Sequence, residues 1–257
     1  MEQRDTFDAV AGLYGEARPG YPAAVYDDLW ALADLEPDAA VLEVGCGAGQ
    51  ATGDLAARAG RVLAIDPGPN LIAEARARVA SDKVAYEVGR FEAFAPQAGA
   101  YDLVASAQAW HWVDPAAAFA KAAMALRPRG SLAVFGHVQE APVGPAASPY
   151  RSVFERFLPG VWGTPSGAAA YYKPDGLLSP QFAASEVFDP MVHRAYAWTW
   201  RVDPQTLGRY LRTDSSYHLL PEAQRFAMFD ALSEVVAENG GVLEWPWETH
   251  LYVARRR

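Results

Sequence analysis

Short apolar runs alternate with longer stretches of helical spacing between about residues 40 and 137, and that alternation predicts a parallel sheet with helical crossovers. Strands are expected at 40–44, 61–65, 84–88, 101–106 and 131–137. Helices are expected at 51–59 and 69–79, and from Pro115 to about 126, the last opened by Asp114 as N-cap with proline in first helical position. Residues 1–40 read as helical cover: Phe7, Val10, Leu13 and Tyr14 keep helical spacing, Arg18-Pro19-Gly20-Tyr21-Pro22 breaks it, and a second helix follows at 23–35. Beyond residue 139 the texture changes. Residues 141–149 read as a linker, and 160–180, rich in Gly, Pro, Tyr and Trp, as a lid or binding loop. A strand at 194–202, helices at 205–220 and 221–239, and a final alternating strand at 244–254 complete the chain.

This divides the chain into an N-terminal cover (1–40), an alternating α/β core (41–138), a lid insertion (139–192) and a C-terminal part that completes the sheet (193–257). Net charge is −9, from 22 Lys and Arg against 31 Asp and Glu, and no basic stripe precedes the terminal Arg255-Arg256-Arg257. A nucleic-acid partner is therefore not expected. The single Cys46 excludes an internal disulfide framework and fits a reducing compartment. The start lacks the apolar core of a signal peptide and no run reaches the length of a membrane span, so a cytoplasmic protein with a small-molecule substrate, monomeric or dimeric, is expected. The five histidines show no zinc-like spacing, and no metal is expected.

The chemistry concentrates at 41–50, where a buried-strand pattern runs into Gly45, Gly47 and Gly49. Glycine after a strand allows a sharp turn and close approach of a ligand to the backbone. A dinucleotide fold wants G-x-G-x-x-G, and here Gln50 stands where its third glycine belongs. Glu43, inside the strand, would meet a pyrophosphate poorly and a cationic ligand well. Asp66 follows the second strand at the carboxyl edge, placed to accept both hydroxyls of a ribose.

The spacing E-x-G-x-G-x-G resembles motif I of the class I S-adenosylmethionine-dependent methyltransferases. The stretch Ala107-Gln108-Ala109-Trp110-His111-Trp112 resembles motif IV, in the form found in the trans-aconitate methyltransferase-like subgroup; Phe7, Tyr14, Arg18-Pro19 and Tyr21-Pro22 resemble that subgroup's N-terminal segment, and the whole looks like the type 11 methyltransferases. The resemblance implies a Rossmann-like α/β fold with a mostly parallel seven-stranded sheet, an antiparallel last strand and a helical lid. It implies S-adenosylmethionine as cofactor, S-adenosylhomocysteine as product, and a cofactor site of Glu43, Gly45, Cys46, Gly47, Gly49, Gln50, Asp66, Pro67, Phe91, Glu92, Ala107 and Gln108. Many relatives carry Asp where this chain has Arg90, which leaves the adenine contact to Phe91 or Glu92. His111 is the candidate base, should the nucleophile need one. Tyr14, Arg18, Tyr21, Trp112, Arg212 and Tyr217 are candidate substrate residues, with Thr213 and Ser215 beside them. Trp112 reads equally as a core anchor and His111 as a structural histidine. The expected activity is methyl transfer to a carboxylate or hydroxyl oxygen of a small molecule; an NAD(P)-dependent oxidoreductase and a non-catalytic cofactor-binding protein are the alternatives.

Overall fold

The computed structural model describes residue 8 and residues 11–162, 167–214, 217 and 220–257; the side chains of residues 14, 168 and 169 fall outside that description. Phe7, Val10, Ser215 and the Tyr14 side chain, all singled out in the sequence, thus lie outside the described residues.

Two helices, α1 (Ala11–Ala17) and α2 (Ala23–Ala33), precede strand β1 (Ala40–Val44). Then come α3 (Thr52–Arg58), β2 (Arg61–Asp66), α4 (Pro69–Arg78), β3 (Val84–Val88) and β4 (Tyr101–Ala107). After a single 3-10 turn at Trp110–Trp112, α5 (Pro115–Ala125) leads into β5 (Leu126–Gln139). The order of the described strands in the sheet is β3-β2-β1-β4-β5-β7-β6, with β6 at Val192–Val202 and β7 at Leu243–Arg255. β7 runs antiparallel to both of its neighbours and every other pairing is parallel. This is the expected Rossmann-like arrangement, with the order reversing between β1 and β4.

Burial explains the strand sequences. All five residues of β1 are buried, because helices cover both faces of a parallel strand at the sheet's centre. One face packs Val41, Leu103, Phe135 and Val253 against Val25, Tyr26 and Leu29 of α2 and Leu55 of α3. The other packs Leu132, Val134 and Tyr252 against Phe119 and Ala122 of α5. Among the described residues, no helix is long and apolar enough to cross a membrane.

Three expectations are corrected. Residues 141–149 and 160–180 are not simply linker and loop, because α6 (Ala147–Phe157), α7 (Ala168–Tyr172) and α8 (Leu178–Ala184) run into or lie within them. Pro149 and Pro180 fall in the first turns of α6 and α8, where the missing N–H would have had no partner anyway. β5 begins at Leu126 rather than 131: Leu126 pairs with Tyr101, and a register shift then absorbs Arg127–Gly130, with Arg129 in the left-handed region (φ 65°). The helix expected at 205–220 stops early, as α9 (Pro204–Leu211), where the Thr213 N–H and hydroxyl both turn back on the Tyr210 carbonyl. The last helix, α10 (Glu222–Glu238), joins α6, α9 and the far ends of β6 and β7 in a separate core containing Tyr210, Met228, Leu232, Trp245 and Trp247.

Candidate functional site

The turn after β1 is held from below by β2, since the Gly45 and Cys46 N–H groups both donate to the Ile65 carbonyl (2.8 and 3.1 Å). Gly45 has φ 72°, and a Cβ there would lie 2.3 Å from the Ala109 methyl. Its lack of a side chain therefore serves the packing of the β1 turn on the loop after β4. Gly47 (φ 55°) is different: the nearest atom to a Cβ there would be Gln50 Oε1 at 3.7 Å, and its N–H donates to Asp66 Oδ2 at 3.0 Å. Cys46 is buried beside it, and burial pushes its thiol well above the ordinary range.

Acidic residues surround this turn. Asp66, at the end of β2, also accepts the Gly68 N–H (2.8 Å), and burial raises its pKa. Asp8 lies close by and caps α4, accepting the N–H groups of Asn70 and Leu71 at 2.8 and 3.1 Å. α1 itself packs over the turn, Ala11 meeting Ala48 and Leu71. Glu43 is wholly buried in β1 and accepts the Thr52 hydroxyl on Oε2 at 2.7 Å, while Oε1 has no hydrogen-bond partner. Burial pushes its pKa up to about 7, the Thr52 bond works against that, and the Asp66 charge adds to it. An orphaned carboxylate oxygen at this depth is costly unless something donates to it. A ligand carrying an ammonium group or other donor fits that deficit, so these residues suit the cofactor that the sequence implies.

The loop after β4 is pinned to β5. Gln108 takes φ 55°, its N–H donates to the Phe135 carbonyl (2.8 Å), and its side-chain amide is bonded to the backbone of His137. Ala107, half-buried, ends β4 beside it. Within the 3-10 turn it is Trp110 that is buried, against Phe91 and Phe119 (ring centroids 5.8 and 5.9 Å), whereas Trp112 is half-buried; the core anchor of this turn is thus Trp110. His111 Nδ1 lies 3.1 Å from the Tyr172 hydroxyl, with Tyr171 alongside, and burial lowers its pKa to about 4. Phe91 lies under Trp110, Glu92 accepts the Asp114 N–H (3.1 Å), and Pro67 is exposed at the turn after Asp66.

On the opposite face of β5, the segment after α1 is tied to the sheet. Arg18 donates to the Thr213 hydroxyl (3.0 Å), the Thr213 carbonyl (2.6 Å) and the Tyr210 hydroxyl (3.3 Å), and lies over the Tyr210 ring. Tyr21 stacks on His137 with centroids 4.3 Å apart. His137 Nε2 donates to the Gly20 carbonyl (3.2 Å); its Nδ1 then accepts the Thr249 hydroxyl (2.9 Å), whose oxygen accepts Trp198 Nε1 (3.0 Å). The Gly20 carbonyl can only accept, which puts a proton on Nε2; burial lowers the pKa to about 3 and keeps the imidazole neutral, against the pull of the Gly20 bond. The structure therefore brings Arg18, Tyr21 and Thr213 together. It does not bring Tyr217 to them: that ring is in the C-terminal core, its hydroxyl donating to the Arg225 carbonyl (2.6 Å), and Arg212 is exposed.

His137, Tyr210, Gln139 and Trp247 are absent from the sequence-derived candidates. A histidine inside the otherwise apolar run Leu132–Val138 is the one local signal that marks any of them.

Residues 42–134 match the family model described as "Methyltransferase domain". The chain is 36% identical over 141 residues to the uncharacterized methyltransferase Rv3342 of Mycobacterium tuberculosis, a match that covers 54% of this chain and 55% of that protein. The chain thus spans about half the length of the curated relatives it matches. Among solved structures it is similar to a candidate type II methyltransferase from Anaeromyxobacter dehalogenans, with TM-score 0.68 and 22% identity over 93% of this chain and 97% of that one. It is also similar to the Haemonchus contortus phosphoethanolamine N-methyltransferase 2 solved with phosphomonomethylethanolamine and S-adenosylhomocysteine, with TM-score 0.55 and 16% identity over 99% of this chain and 60% of that one. At those identities the structural likeness shows the fold alone, that of the class I methyltransferases, and the family match speaks for the segment that carries the glycine turn, Asp66 and His111: residues 42–134 match a methyltransferase domain.

Proposed function

We propose that this protein transfers a methyl group from S-adenosylmethionine to an oxygen of a small molecule. The observation that carries the cofactor assignment is the orphaned, fully buried Oε1 of Glu43 beside a turn whose Gly47 is bonded to Asp66. When bound, the cofactor would supply a methyl group on a positively charged sulfur, with a neutral thioether as the leaving group. Glu43 supplies negative charge next to the turn, and Asp66 is the acceptor for the ribose hydroxyls. Gln108, locked to β5, holds the loop after β4 against the turn. What remains for the protein is alignment of the nucleophile and exclusion of water.

The state of His111 bears on the nucleophile. A base with a pKa of about 4 is too weak to draw a proton from an alcohol or phenol at neutral pH. A carboxylate, with a reference pKa near ~4, is already ionised and asks for none. This favours a carboxylic acid acceptor, in keeping with the resemblance to the trans-aconitate-like subgroup. His111 and Trp112 then border the acceptor, while Arg18 and Tyr21 close the site from the N-terminal side.

The test is calorimetric titration with S-adenosylhomocysteine and, separately, NAD. Wild-type protein binds the former only, and Asp66→Ala weakens it by tenfold or more, as loss of a charge-assisted bond implies. Binding of NAD instead, or an unchanged affinity in the variant, would remove the assignment.

A further inference from the structure

We propose that Tyr172 is a positioning residue for the acceptor: its hydroxyl donates to Nδ1 of His111 and leaves the one proton of that imidazole on Nε2, where the N–H binds a carboxylate oxygen of the acceptor. Resting on the reading of a carboxylic acid acceptor, this assigns the group that recognises the acid and the residue that sets that group.

The geometry starts at the loop after β4. Ala109 abuts the Gly45 turn, and the bond from the Trp112 N–H to the Ala109 carbonyl (3.0 Å) bends the chain so that His111 follows on the same side of the sheet. One nitrogen of its ring is engaged, with Nδ1 lying 3.1 Å from the Tyr172 hydroxyl. The other, Nε2, has no hydrogen-bond partner among the described residues, and the residue is not sealed from its surroundings. An imidazole with one nitrogen fixed and the other unpartnered offers a single polar atom to a ligand.

Tyr172 is itself held at two points. It is fully buried, and its carbonyl accepts the Tyr252 hydroxyl at 2.7 Å. Its ring lies flat enough on β5 that a Cβ at Gly136 would come within 2.7 Å of it, so the strand makes room for this phenol by carrying glycine. The neighbouring Tyr171 also packs on the imidazole (ring centroids 5.6 Å apart), but its hydroxyl is taken by Gln181 Oε1 at 2.8 Å. The oxygen that meets His111 is therefore that of Tyr172, and α7 and β5 together fix where it stands.

The sense of that bond decides the chemistry. A phenol, with a reference pKa near ~10, is a good donor, and an imidazole nitrogen, with a reference pKa near ~6.5, is a good acceptor, which favours O–H to Nδ1. Burial lowers the His111 pKa to about 4, so at neutral pH the ring carries one proton, and with Nδ1 accepting, that proton sits on Nε2. A neutral N–H can bond a carboxylate oxygen without giving up its proton to it. In the other tautomer a bare lone pair would face the carboxylate, and the contact would repel.

Long-range proton–nitrogen correlation spectra of nitrogen-15-labelled protein read the tautomer directly, with the His111 signals assigned by their absence from His111→Asn. At neutral pH, with and without saturating S-adenosylhomocysteine, they should show Nε2 protonated and Nδ1 accepting. Tyr172→Phe keeps the ring against Gly136 and removes only the hydroxyl. Its His111 signals should move toward those of a mixture of tautomers, a change that packing alone does not produce, while S-adenosylhomocysteine affinity stays within twofold of wild type. Acetate is the carboxylate probe and acetamide its neutral counterpart. Titrated into the S-adenosylhomocysteine complex, acetate should shift the His111 Nε2 signal more than acetamide does, and should bind Tyr172→Phe several-fold more weakly than wild type. A proton on Nδ1 in the wild type, a His111 spectrum unchanged in Tyr172→Phe, or an Nε2 signal that acetate moves no more than acetamide overturns the assignment. Should Tyr172→Phe not fold, the wild-type tautomer and its response to acetate decide alone. Failure of S-adenosylhomocysteine to bind while the tautomer is as expected counts against the methyl-transfer reading alone.

Discussion

Gln108 and His137 form a two-point pairing in which a single side-chain amide serves both backbone groups of the other residue. Oε1 accepts the His137 N–H at 2.5 Å and Nε2 donates to the His137 carbonyl at 3.3 Å. The pairing prolongs the β4–β5 ladder past its last backbone partners, Ala107 and Phe135. Gln108→Leu would strand both His137 groups at a cost of ~1–3 kcal/mol each, so unfolding free energy in urea should fall by about 2–4 kcal/mol. Gln108→Glu keeps the acceptor, loses the donor, and should fall between. A loss under about 0.5 kcal/mol in Gln108→Leu would show the pairing to be incidental.

Glu43 gives the apo protein a pH dependence of definite sign. Its carboxyl is raised from 4.5 to about 7, so between those values the folded chain holds a proton that the unfolded chain has released. Stability from this group is complete below about 4.5 and is lost as pH rises through 7, a fall of ~3 kcal/mol for a shift of this size. Asp66, also raised, contributes with the same sign. Wild-type protein should unfold at lower urea at pH 8 than at pH 5, and Glu43→Gln should narrow the difference. A variant with the same slope as wild type would place the titration elsewhere.

His111 should leave no mark on the rate profile near neutrality. With its pKa lowered to about 4 it is neutral from pH 6 to 8, and turnover of a carboxylate acceptor should be flat across that range. His111→Asn should lower kcat more than S-adenosylhomocysteine affinity and leave the profile's shape unchanged. An ascending limb centred near 6.5 that vanishes in the variant would make His111 a titrating base after all.

The bond from His137 to Gly20 fixes the chain between α1 and α2 onto the sheet. His137→Phe preserves bulk and the stacking surface for Tyr21 but removes the tether and leaves Thr249 without its acceptor. Cleavage by a glutamate-specific protease after the exposed Glu16 should become several-fold faster, as expected when a local opening equilibrium shifts. Unaltered cleavage would mean that Arg18 and the packing of α1 suffice to hold the segment.

The strands at 40–44 and 84–88 are observed where the sequence predicts them, because a short apolar run between turn residues has few other ways to fold. The turn from Gly45 to Gly49 and the acid after β2 were legible for a related reason: each depends on residues next to one another in the chain. The positions of the helices at 147–157 and 178–184 were hidden from the pattern because prolines and glycines read as breakers, whereas Pro149 and Pro180 open helices. Which residue of Trp110-His111-Trp112 faces the core could not be read from a turn only three residues long. The long-range contacts of Tyr210 left no local trace. Arg18 meets Tyr210 across 192 positions and Gln139 meets it across 71, distances over which neither periodicity nor motif spacing carries information.

Gly45 and Ala109 share one small volume: a methyl on the first would land on the methyl already carried by the second. The mouth between the β1 and β4 ends is therefore set by an interlock rather than by either loop alone. Widening it through one partner is blocked, because bulk at 109 drives into the turn and bulk at 45 drives into the loop while also opposing its φ of 72°. Variation in the gap available to a ligand has to enter this fold from the outer walls, through the helices and the β6–β7 pair, while the seam at the centre stays at its present width.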